Sequence, residues 1–138
     1  MRRRQIVVGT FYIGTEQCQL VLRDGNGAEF YLTPEDGALP RIKVGADDAD
    51  WAGLVSRLLH EAMEFAIERA RCRFERCANT DQGGYVFVLD HAAFTECCER
   101  AGEFIACALP SLANSWKKWR KTRARMTAAD GKTLEVAT

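Results

Sequence analysis

The first fifty residues alternate apolar and polar positions in short bursts, and the next sixty shift to a helical period. Ile6 to Ile13 is rich in β-branched and aromatic residues, which suit a pleated, half-buried surface, and predicts a strand. Gln17 to Arg23 places Cys18, Leu20 and Leu22 on one face and Val21 on the other, the two-residue period of a second strand. Asp24-Gly25-Asn26-Gly27 is a turn signal, so Ala28 to Leu32 is expected to return as the other arm of a hairpin. After the break at Thr33-Pro34-Glu35-Asp36-Gly37, Arg41-Ile42-Lys43-Val44 reads as a fourth strand. Its alternating charge suits an edge or half-exposed position.

Asp47, Asp48 and Asp50 then offer helix caps, because a carboxylate satisfies free N–H groups at the positive end of the helix dipole. A long helix is predicted from about Trp51 to Cys77, ended by Asn79 and Gly83-Gly84. At about 100° per residue, Val55, Leu58, Leu59, Ala62, Met63, Ala66, Ile67, Ala70, Phe74 and Cys77 form an apolar arc. Arg57, His60, Glu61, Glu64, Glu68, Arg71 and Glu75 fill the polar sector. Tyr85 to Leu89 is a fifth strand or an extended connector, and Asp90 caps a second helix from His91 to about Ala108. Pro110 lacks an N–H and clashes with the preceding turn, so a third helix is expected to restart at Ser111 and carry Trp116 and Trp119. The expected fold is α+β, a small antiparallel sheet of four or five strands on two long helices plus a C-terminal one. Residues 1–126 make one domain, and 127–138 a loosely ordered tail.

Composition narrows the function classes. With 47% hydrophobic and 28% charged residues the chain has a normal globular balance, and 138 residues suffice for one core. Zero formal net charge gives no global attraction to nucleic acid or anionic lipid. The charge is unevenly placed, with cations at Arg2, Arg3 and Arg4 and again from Lys117 to Arg125. No apolar run reaches the ~20 residues of a membrane span and no signal-peptide pattern is present, so the expected location is cytoplasmic. The six cysteines form no Cys-x-x-Cys pair, and Cys97 and Cys98 point about 100° apart on a helix, so most are expected to be buried apolar residues.

The chemistry concentrates at His60-Glu61-Ala62-Met63-Glu64. His60 and Glu64 are i and i+4 and reach one point above the helix, with Glu61 offset to the same side. Two metal ligands one turn apart, with an acid–base carboxylate between them, is the arrangement of a zinc-peptidase helix. The simpler alternative is a solvated stripe of weak ion pairs. His91, preceded by Asp90, is the other histidine and stands 27 residues after Glu64, enough chain for the second helix to bring it back as a third ligand.

The segment Leu58-Leu59-His60-Glu61-Ala62-Met63-Glu64-Phe65-Ala66, preceded by Arg41 to Val44 and followed by Asp90-His91, resembles small phage- and prophage-associated zinc metallopeptidases of the zincin type. The resemblance covers about residues 41–108. It implies a zinc ion held by His60, Glu64 and His91, Glu61 as general base, and Asp90 behind His91. It also implies an extended peptide paired to the strand Arg41 to Gly45, with Arg41 and Val44 in contact with it, while Arg57 is a candidate either to bind a substrate carboxylate or an oxyanion or to pair with Glu61 or Glu64. Glu64 stands where the usual motif has His, and Arg57 and Arg71 lie on the ligand stripe.

The competing expectation is a non-catalytic module that recruits a phage or host protein through Trp116-Lys117-Lys118-Trp119-Arg120-Lys121. There the tryptophans share a face, and docking on protein is favoured over nucleic acid.

Overall fold

The computed structural model describes residues 4–34, 37–75 and 85–134. Four strands form one mixed sheet: β1 (Gln5–Ile13), β2 (Glu16–Arg23), β3 (Ala28–Tyr31) and β4 (Arg41–Gly45). The α+β class is as the sequence indicates, but the strand pairing differs. The hairpin joins β1 and β2 through Gly14-Thr15, with Gly14 in the left-handed region at φ 63°. The expected β2–β3 hairpin does not form. β4 inserts between them, parallel to β2 and antiparallel to β3, in the order β1-β2-β4-β3.

The loop 24–27 closes over the end of β4 instead. Gly45 N–H donates to the Gly27 carbonyl and Asp47 N–H to that of Gly25. A Cβ at Gly45 would lie 2.2 Å from the Gly25 oxygen, so only glycine fits there. β4 is thus an interior strand, because Ile42 and Val44 are fully buried and its backbone is paired on both sides. Arg41 and Lys43 alternate onto the outer face, which explains the charged pattern without an edge.

The first helix, α1 (Trp51–Arg69), starts at Asp50, whose side chain accepts a 2.7 Å bond from Gly53 N–H. It ends eight residues earlier than expected. Cys72 N–H donates to the Ile67 carbonyl and Arg71 N–H to that of Glu68, with Arg71 at φ 58°, a Schellman motif. Arginine stands where glycine is usual, so the stop carries no sequence signal. β5 (Arg73–Glu75) follows and pairs with β6 (Tyr85–Phe87) in a separate two-stranded ribbon, so the fifth strand does not join the main sheet. Cys77, Asn79 and Gly83-Gly84, the expected helix end, lie outside the described residues.

The two C-terminal helices are one: α2 runs from His91 to Leu134 with Pro110 inside it. The expected break does not occur because the buried stripe Ala101, Phe104, Ala108, Leu112 continues on the sheet across Pro110, itself exposed. Packing on both sides outweighs the lost hydrogen bond. The expected tail is helical through Leu134.

Both helices cover the same face of the sheet and run antiparallel. Cys97 packs with Ala66 and Ile67, and the Trp51 and Trp116 rings lie 5.5 Å apart. The core gathers Cys18, Leu20, Leu22, Ile42 and Val44 from the sheet against Leu54, Leu58, Phe65, Phe104 and Trp119. Burial pushes the Cys18 thiol up to about 12, as expected for an apolar core residue. No helix among the described residues is long and apolar enough to cross a membrane.

Candidate functional site

The buried stripe of α1 is rotated from the expected arc. Leu59 is 48% exposed, whereas Phe65 is fully buried, its ring edge-on to Phe30 at 6.0 Å. Glu61 falls inside this stripe at 7% exposure. The sequence assigns Glu61 to the polar sector because residue type is all a helical wheel contains. The sheet presses on the sector around Leu54, Leu58 and Phe65, and Glu61 is carried inward with them.

His60 and Glu64 do meet. His60 Nε2 lies 3.3 Å from Glu64 Oε1 and 3.9 Å from Glu61 Oε1. The imidazole is well exposed and both carboxylates are largely covered, so the cluster has one open side. Burial raises the Glu61 carboxyl above its ordinary value. The His60 imidazole opposes this, Glu64 and Glu29 add to it, and Arg73 opposes it. A carboxyl of raised pKa beside a cleft is a candidate acid–base group.

Arg73 was not among the expected residues. It leaves the turn after α1 and lies 3.8 Å from Glu64 Oε2 and 3.6 Å from Glu68 Oε2, with its guanidinium over the Phe30 ring. No local spacing marks it, since it reaches the site only because α1 stops at Arg69 and the chain reverses.

The other expected residues are placed elsewhere. Arg57 donates to the Gly45 carbonyl at 2.7 Å and the Asp47 carbonyl at 3.1 Å, tying down the β4–α1 loop. Val44 is sealed in the core, and Arg41 sits on an interior strand, so the β4 backbone offers no edge to a peptide. Arg71 is exposed at the helix stop. Asp90 caps α2, its Oδ1 accepting from Ala93 N–H at 2.8 Å.

His91 is not brought to His60. It lies six residues before Cys97, which packs level with Ala66 and Ile67, whereas His60 lies about six residues from that level in the opposite direction. At 1.5 Å per residue the two histidines are roughly 20 Å apart along the helix axes. Among the described residues no group of three His, Cys, Asp or Glu side chains is placed to hold a metal.

An open cleft of ≈ 400 Å³ borders the cluster, lined by Gly27, Ala28, Ser56, Arg57, His60 and Glu61. Its strand wall is the start of β3, an edge of the sheet, and not β4. Ligands about 2.0–2.2 Å from a tetrahedral zinc stand roughly 3.4 Å from each other. The 3.3 Å between His60 Nε2 and Glu64 Oε1 therefore fits a shared ion, with Arg73 behind the second Glu64 oxygen. Two donors are one short of the three protein ligands that a catalytic zinc takes. No protein-family model matches the chain, and neither the curated proteins nor the solved structures contain a significant match to it.

Proposed function

We propose that the protein is a zinc-dependent hydrolase acting on extended peptides at the cleft between α1 and the β3 edge. His60 and Glu64 are the assigned ligands and Glu61 is the general base; the third ligand is left unassigned. The observation that carries this reading is the ligand-like spacing of His60 and Glu64 around a buried, pKa-raised Glu61 that faces the cleft. Bound zinc would supply Lewis-acid polarisation of a substrate carbonyl and a water of lowered pKa. The chain's own contribution would be Glu61 as acceptor of the water proton, with Arg73 beside Glu64 to orient it. β3 is the outermost strand of the sheet among the described residues, and a peptide would align along it.

Metal analysis of untagged protein tests this. About one equivalent of zinc is expected, lost in His60→Ala and Glu64→Ala and kept in His91→Ala. Glu61→Gln should retain the ion and lose peptide hydrolysis by about 10²–10⁴-fold. Metal-free protein that gains no thermal stability from added zinc would end the proposal.

A further inference from the structure

We infer that the outward face of α2 between Lys117 and Arg125 binds the phosphate backbone of duplex nucleic acid. The observation is independent of the α1 site. Between Phe104 and Ala129 the chain has six cations, Lys117, Lys118, Arg120, Lys121, Arg123 and Arg125, and no acid. The remaining residues hold 13 cations against 19 acids, so a neutral chain divides into a +6 segment of α2 and a remainder of −6. Zero net charge conceals this separation.

Four of the six cations point away from the body. Leu112 and Trp119 bury their side chains on the core, and Trp116 leans on Trp51. At 100° per residue, Lys117, Lys118, Lys121 and Arg125 occupy one arc of about 100° opposite that contact. Beyond Trp119 every residue from Arg120 to Ala128 is exposed. Arg123 turns back to Asp47, Arg120 lies over the Trp116 ring and Arg4 over Trp119, adding a further cation at the base of the helix.

The chemistry of the partner follows from what this face lacks. Protein interfaces centre on buried apolar or aromatic anchors, and a membrane-surface helix needs an apolar side. Both tryptophans are committed to the fold, and among the described side chains Met126 is the one large hydrophobic strongly exposed on the helix after Trp119. What remains is a rod about 10–12 Å wide with cations spread over about 12 Å, which matches a ~12 Å major groove flanked by phosphates. No fork of Asn, Gln and Arg is set out to read bases, so the binding is of backbone and indifferent to sequence.

Fluorescence anisotropy with a labelled 24-base-pair duplex, in two unrelated sequences at 50 and 200 mM KCl, tests this. Expected is saturable binding at 50 mM, equal for both sequences, with a Kd on the order of micromolar and a steep loss at 200 mM. Lys117→Gln/Lys121→Gln/Arg125→Gln should weaken it at least tenfold and lower the log–log salt slope by about 2.7, at 0.9 per lost phosphate contact. These exposed positions leave the helical circular dichroism and Tm unchanged, and Lys43→Gln serves as the neutral control. No binding at 50 mM, or equal binding by the triple variant, overturns the inference. So does a low-salt dimer without DNA binding, which would make the acidic remainder of a second copy the partner. Capture by phosphatidylserine vesicles but not by the duplex overturns it equally.

Discussion

The polar faces of α1 and of the end of α2 differ in sign pattern. On α1, His60, Glu61, Glu64 and Glu68 converge with Arg73 from the next element, so opposite charges meet within a few ångströms. Arg73 offsets only part of the charge of three carboxylates at short range, and what remains is a local, net acidic cluster with one open side. On α2, Lys117 to Arg125 carries one sign and most of it faces solvent, so the field projects outward until something external meets it. Mixed charge on a buried flank suggests chemistry at a point, whereas single-sign charge on a projecting rod suggests binding along a line.

The comparison breaks most readily at the place where α2 leaves the body. Trp119 is 2% exposed, and Trp119→Ala should cost about 3–5 kcal/mol in urea unfolding. Met126, two turns on and 55% exposed, should tolerate Ala within about 0.5 kcal/mol. Similar losses at both positions would mean that the helix is held down along its whole length. A smaller effect tests how α1 ends. Arg71→Gly should raise stability by up to about 1 kcal/mol, since a side chain at φ 58° is strained and glycine is not. Destabilisation would show that Arg71 contributes contacts exceeding that strain.

The smallest effect concerns Glu61 and has a definite sign. Its folded pKa is raised above the ordinary 4.5, so its stabilising contribution is complete below about pH 4.5 and is lost as pH rises through the folded value. Glu61→Gln, which cannot ionise, should therefore melt above the native protein at pH 8, with the gap shrinking toward pH 4. A gap that does not change with pH would place Glu61 in a solvated environment like that of the α2 charges.

Much of this was legible in the residues. Strand positions followed from two-residue alternation in Gln17 to Arg23 and Arg41 to Val44, and the start of α1 from Asp50. His60 and Glu64 were paired by spacing alone, because i and i+4 are neighbours on any helix. Pairing order was not legible: a Gly-rich loop after β2 looks like a hairpin turn whether the next strand pairs with β2 or with an intruder. Nor was Arg73, which depends on a helix stop made with arginine in a glycine position.

The sequence by itself determined the α+β composition, the amphipathic α1 with its His60–Glu64 pair, and the accumulation of cations after Trp116. These are local properties, set by residue type and helical or strand period within a dozen positions. Tertiary structure decided that β4 is interior, that Pro110 does not divide α2, that Glu61 is buried and that His91 is roughly 20 Å from His60 along the helix axes. Each of these depends on which face is pressed against which neighbour. That is settled by packing the whole apolar set into one core, which no single segment encodes.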